Sequence, residues 1–488
     1  MTRAVLVRHR VPDRAPEVEY AFRALLRIVG LAADVRPIDQ EGNADGTGPI
    51  VYYGTTLPEG MAGRCVHILP AAEFWEDVCA RRPIRWAAAS LDGVPVLFRG
   101  TDAPPDVRPT THGVETNIDI VAGAFLLLTR YEEAVTGARD EHGRFPAEAS
   151  AAESLGVLDR PLVDEYARWL GEWIRTVDSS VEPSRAWTDR PAAACVTHDV
   201  DALKMFGGTK LARGLFRDLL RERAPRRAVR RSTAAVRRYL FGASDPFDTF
   251  GWMWSVADQA GFPSTYFVLA GEAGARDGDY ALADPATRQL LQAILRRGDE
   301  IGLHSGYDSH DCSDRLAAEQ GALAETVGAE VCGVRQHFLR WSTPASWRAR
   351  ADAGFLYDSS LGYPDAEGFR CGTCTPFQPF DIDAREPLPL VEVPLVVMDG
   401  TLRQYRGYAP AEALMHIERL IDAVVASRGV FVLLWHNSAL NWVEWPGWRE
   451  VYLRTLEMLA RRRVIWSTVG DVVRCWREHV ASREGGSG

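Results

Sequence analysis

The sequence predicts an α/β protein: a (β/α) barrel preceded by a smaller α/β unit. Three observations carry that expectation. From Ala192 onward, apolar strand-like runs alternate with amphipathic helical stretches, the pattern of parallel βα units. Polar side chains crowd the C-terminal ends of those runs, the face on which a barrel gathers its active site. The chain has 488 residues, and at roughly 100–200 residues per domain that suggests two or three domains.

Residues 1–185 form the first expected unit. Short apolar runs at Ala4–Val7, Ile50–Tyr53, Val66–Leu69 and Val94–Phe98 suit strands. Helical periodicity appears at Val18–Val29, Ile118–Leu128 and Leu162–Ile174. Gly42–Gly48 and Gly100–Pro109 are loop-like. No constellation of catalytic groups stands out here. Pro183 to Pro191 suits a linker, and residues 190–480 form the barrel. Its expected strands are Ala193–Val200, Ser264–Leu269, Glu300–His304, Val331–Arg335, Phe355–Tyr357, Val391–Val397, Val430–Trp435 and Val464–Ser467.

Five of those strand ends deliver polar groups: Asp199 with Asp201, His304, Arg335 with His337, Asp358, and His436 with Asn437. Asp199 and Asp201 fall on one side of a regular strand. Two carboxylates so close are costly unless a cation or proton sits between them. The plainer alternative is a helix cap beside a surface carboxylate. His304 and Asp308, four residues apart, meet if a helical turn begins there; the alternative is a polar loop with an incidental histidine. Imidazole and carboxylate together suit Zn²⁺ and harder first-row ions. His436 alone would be an ordinary core histidine, and Arg335 alone an ordinary salt-bridge partner.

Taken in order, these residues resemble carbohydrate esterase family 4, the polysaccharide deacetylases with a NodB-type homology domain. The resemblance rests on Asp199-Val200-Asp201, His304-Ser305, Arg335, the run Gly354–Leu361 and Leu434-Trp435-His436. It covers roughly Ala192 to Arg474. Phe125–Glu133 and Arg160–Tyr166 are similar to a module that precedes some bacterial deacetylase-like domains; that similarity implies no activity. The resemblance implies a distorted barrel of the NodB type and a metal-dependent hydrolase that removes an N-acetyl group from an acetamido sugar or sugar-containing precursor. It implies one divalent ion, zinc preferred, with cobalt, nickel, manganese or iron admitted. Asp201 and His304 would be ligands, Asp199 the general base, Arg335 its orienting partner and His436 the acid that protonates the leaving amine. Asp308 stands where the family has a second histidine. It is preferred on its spacing as third ligand over His337, an imidazole two residues after Arg335 that the family pattern lacks; His337 and Tyr307 are otherwise assigned to substrate. Another hydrolase of cyclic amides or ureides, or a non-catalytic glycan-binding relative, are the alternatives.

Bulk properties bound the rest. Hydrophobic residues make up 46% and charged residues 25%, ordinary globular values that allow a core without staples. A net charge of −10 argues against a generic nucleic-acid partner. The opening apolar run is too short for a signal-peptide core, no stretch approaches the ~18 apolar residues of a membrane span, and eight cysteines are dispersed. These features favour the cytoplasm and a soluble or membrane-surface substrate. Ten arginines lie between Lys210 and Arg238; they suit a phosphate-bearing substrate or an anionic surface, or simply a solvated helical insertion. Cys371-Gly372-Thr373-Cys374 has redox spacing without a redox context and is read as a loop.

Overall fold

The computed structural model describes residues 4–38, 50–58, 65–86, 89–111, 113–184, 186–187, 190–271 and 276–484. Two sheets organise them, and no described strand pairs between the two. In the first, Ala33–Pro37, Val5–His9, Ile50–Tyr53, Cys65–Ile68 and Gly113–Thr116 run parallel in that order, with Val107–Thr110 antiparallel at the edge. That edge strand takes the end of the segment expected to be a loop. Val94–Val96 instead pairs with Ala89–Leu91 in a separate hairpin. The expected Gly42–Gly48 loop lies outside the described residues.

The three expected helices appear at Ala15–Ile28, Ile120–Leu128 and Leu162–Val177. The first and last are strongly amphipathic, with one face buried. Ile120–Leu128 is apolar all round and buried throughout, as a helix without a polar face must be. Asp119 caps it, accepting from the amides of Val121 and Ala122.

The second sheet is wholly parallel. Its order is Val391–Glu392, Tyr357–Asp358, Gly333–Gln336, Glu300–Ser305, Ser264–Leu269, Ala193–Val200, Val430–Leu434 and Val397–Met398, with Ile465–Trp466 joining the start of Ala193–Val200. Ala193–Val200 is buried along its whole length, as expected of a strand covered on both faces. Val391–Val397, expected as one strand, is divided. Pro394 has no N–H to give a ladder, so the strand cannot continue through it. The chain instead crosses from one edge of the sheet to the other: Val393 N donates to Asp358 O at 2.9 Å, and Val396 N to Val432 O at 3.1 Å. One segment thereby bridges both edges, and the sheet curls into a distorted, incompletely paired barrel.

The N-terminal unit seats on the barrel through buried polar groups. Arg130, in the left-handed region at φ 52°, donates to Glu132 Oε1, Glu133 Oε1 and the Tyr363 hydroxyl, each at 2.8 Å. Arg370 of the barrel donates to both Glu133 oxygens, at 2.9 and 2.8 Å. The Cys371–Cys374 loop is a seat as well: Gly372 O accepts from Val163 N at 2.7 Å, and Cys374 N donates to Asp164 at 3.2 Å. No helix among the described residues is long and apolar enough to cross a membrane.

Candidate active site

Parallel register aligns the strand ends. Leu269 pairs with His304, and His304 with Arg335, so the polar termini of neighbouring strands open into one cleft with a cavity volume of about 270 Å³. Asp201, just beyond Ala193–Val200, lies there with His304 and His337. One ligand-capable atom from each falls within 4.8 Å of the other two, the only such trio among the described residues. His304 Nδ1 lies 3.0 Å from the Arg335 carbonyl, and His337 Nδ1 lies 3.0 Å from Asp277 Oδ1. Both partners can only accept, so in each neutral ring the proton sits on Nδ1 and Nε2 carries a bare lone pair. Those lone pairs face Asp201 Oδ1, at 3.2 and 3.8 Å. His304 Nε2 and Asp201 Oδ1 are buried and form no hydrogen bond. Acceptors converging in this way require a positive charge between them, and an imidazole–imidazole–carboxylate set fits a divalent transition metal. The local field agrees. Burial lowers the His304 pKa, but the Asp199 and Asp201 carboxylates outweigh it and raise it above the ordinary value.

The preference for Asp308 as third ligand is corrected. The i, i+4 argument needs a helical turn starting at His304, but the backbone stays extended to Ser305 and no helix begins before Ser313. Asp308 therefore swings outward. Its side chain is 72% exposed and pairs with Arg340 at 3.0 Å. His337 comes in because a strand repeats every two residues, which places it on the side of Arg335. The backbone then turns sharply, with positive φ at Phe338 and Leu339. The assignment of Tyr307 to substrate is also corrected. Its ring is buried between the Arg276 and Arg340 guanidiniums, its hydroxyl lies 3.1 Å from His142 Nδ1, and it does not line the cleft.

Asp199 and Arg335 meet as expected. Fully buried Arg335 donates to Asp199 Oδ1 at 3.0 Å and to Thr197 Oγ1 at 2.6 Å. It is fixed from behind by Ser359 O and Oγ, at 2.8 and 3.0 Å. That leaves Asp199 Oδ2 facing His304 Nε2 at 3.7 Å. His198, between the two aspartates, points the other way. It contacts Trp435 O at 2.7 Å, and burial lowers its pKa to about 4, so it is a neutral core residue.

His436 stands on the opposite side of Asp201, with Nε2 3.4 Å from Oδ2. Asp399 holds it, accepting from the His436 backbone N–H and lying 2.7 Å from Nδ1. Burial opposes charge on this ring, but the Asp399 and Asp201 carboxylates prevail and raise its pKa to about 10. The ring there is cationic at neutral pH and so carries a proton on each nitrogen.

The residue reading missed three groups. Asp399 follows the apolar run Val391–Val397 and could have been read as one more strand-end carboxylate. Asp277 lies in an aperiodic loop and leaves no sequence signal. Arg144 comes from the N-terminal unit and lines the cleft, held by Asp140 and donating to Tyr405 Oη at 3.0 Å.

Residues 7–179, well under half of the chain, match the profile of a family of unknown function (DUF7033). No curated protein matches the chain. Solved structures that resemble it include a protein from Mycobacterium smegmatis named as a polysaccharide deacetylase (18% identity, TM-score 0.40, covering 60% of this chain and 92% of that one). The allantoinase PuuE has 16% identity and a TM-score of 0.40, over 62% of this chain and 96% of its own. A Pseudomonas aeruginosa PAO1 protein named for the same deacetylases has 16% identity and a TM-score of 0.39, over 62% and 97%.

Proposed function

We propose that the chain is a metal-dependent hydrolase of the deacetylase kind, which removes an N-acetyl group from an acetamido sugar or sugar-containing precursor. One observation carries this reading: the bare Nε2 lone pairs of His304 and His337 converge on Asp201, with a braced carboxylate on one side and a braced imidazole on the other. Asp201, His304 and His337 would hold the ion. When bound, a divalent cation polarises a carbonyl and lowers the pKa of water toward ~7 in favourable zinc sites.

The chain's own residues supply the proton handling. Asp199, its Oδ1 tied to Arg335, has Oδ2 turned to the cleft and accepts a proton from the attacking water. His436, protonated and aligned by Asp399, gives its proton to the departing amine. An amine leaves poorly without one, so this donor matters more for an amide than for an ester. The cavity is near the small end of the ~300–1,000 Å³ usual for ligand sites, a size suited to one sugar residue with the remainder outside. Arg144, Tyr405 and Trp445 line its wall.

The test is metal content together with acetate release from free and nucleotide-linked acetamido sugars, with a cyclic ureide alongside. About one ion per chain with acetate release is expected. Ureide opening without acetate release would move the reading to a cyclic-amide hydrolase. Purification without stoichiometric metal, even after metal is supplied, would sink it.

A further inference from the structure

We infer that the helical hairpin Lys210–Phe241 is a docking element for an anionic lipid bilayer. It comprises Lys210–Phe216, continued by Arg217–Arg221, and the helix Pro225–Phe241. Among the described residues, twelve large hydrophobic side chains are exposed, and eight of them belong to this hairpin: Phe216, Leu219, Leu220, Val229, Val236, Tyr239, Leu240 and Phe241. Concentration on one short insertion is what a scattered surface would not give.

The pattern on each helix is amphipathic in an unusual sense. Ala228, Arg231 and Ala235 of the second helix face inward and are buried. Val229, Val236 and Leu240, at i, i+7 and i+11, form a stripe on the opposite, exposed face. On the first helix Gly214 and Asp218 face inward, while Phe216 and Leu220, four apart, face out. The helices are locked together by Asp218, which accepts from Arg227 and Arg231 at 2.6 and 2.7 Å. The outward apolar side chains are therefore a fixed feature of a braced hairpin.

Charge selects the occupant. Lys210 and ten arginines stand against Asp218 and Glu222, an excess of nine positive charges in a chain whose net charge is −10. Arg213, Arg221, Arg223, Arg226 and Arg237 form no ion pair among the described residues. Exposed Phe, Leu and Val interleaved with unpaired arginines suit the boundary between acyl chains and anionic headgroups. A second copy docked hairpin to hairpin would bring like charge against like. A nucleic acid would leave the aliphatic stripe unused. The hairpin also touches the cleft: Arg217 and Arg231 each donate to Glu444, at 2.5 Å, and Glu444 lines the cavity. A bilayer held by the hairpin would therefore lie beside the mouth of the cleft.

The experiment is co-sedimentation of the full chain with vesicles of phosphatidylcholine alone, and with about one-third phosphatidylglycerol, at low and high salt. Binding should be at least ~10-fold stronger to the anionic vesicles and should weaken with salt. The triple variant Leu220→Ser, Leu240→Ser, Phe241→Ser should lose at least ~10-fold of that binding with circular dichroism and metal content unchanged. So should Arg221→Gln, Arg223→Gln, Arg226→Gln, Arg237→Gln, whose sites carry no ion pair that folding depends on. Absence of vesicle binding, equal binding to neutral vesicles, or self-association abolished by the serine variant would each overturn the inference. The readout is binding, so it is independent of what the cleft hydrolyses.

Discussion

Two buried clusters of charge lie in this molecule, and they are built on opposite principles. In the cluster that seats the N-terminal unit, Glu133 sits between Arg130 and Arg370, and both its oxygens are bonded. Glu132 accepts from Arg130 and from Ala151 N. Every charge there has its partner. Around the cleft, Asp201, His304 and His337 turn acceptors toward one another and leave buried atoms without hydrogen bonds. A compensated cluster resists losing a member, because what remains is an unpaired buried charge. An uncompensated one awaits a ligand. The difference separates a structural joint from a candidate active site, although both are made of the same residue types.

The largest effect expected on the comparison is catalytic. Asp199→Asn and His436→Ala should each keep the metal and the fold yet lose on the order of 10²–10⁴-fold in kcat. His436→Ala should harm an ester less than an amide. Losses below tenfold in both, measured by steady-state acetate release, would reduce these two residues to structural strand ends.

At the joint the expected effect is on stability. Burial alone would raise the Glu133 pKa, but Arg370 and Arg130 outweigh it and lower it from 4.5 to about 2. A depressed carboxylate pKa contributes stability that is present above pH ~4.5 and lost as pH falls toward ~2, worth ~3 kcal/mol at neutral pH. Glu133→Gln should therefore unfold at lower denaturant at pH 7. Its deficit should shrink steadily below pH ~4.5, while metal content per folded chain stays unchanged. A deficit independent of pH would show that the ion pairs are not its source.

Smaller effects sharpen the metal assignment. Asp277→Asn removes the carboxylate that orients His337 and should weaken metal binding by ~10–100-fold, measured by competition with a chelator. His337→Ala should purify largely metal-free, while Asp308→Ala should retain full occupancy. Full occupancy in His337→Ala with loss in Asp308→Ala would restore the spacing argument that the outward pairing with Arg340 contradicts.

Much was legible in the sequence. The alternation after Ala192 specified parallel βα units, because a strand buried on both faces is apolar throughout, as Ala193–Val200 is. The strand-end rule gathered Asp199, Asp201, His304, Arg335 and His436, since parallel strands place their C-termini on one face. Local geometry is less legible. Helical spacing favours Asp308, but the chain after His304 is not helical. Whether His337 or Asp308 faces Asp201, that Asp277 and Asp399 stand behind the two histidines, and that Arg144 arrives from the N-terminal unit depend on contacts between residues far apart in the chain. Spacing within one segment reports only on neighbours along that segment. Partners brought from other segments are chosen by packing, and only the tertiary structure decides them.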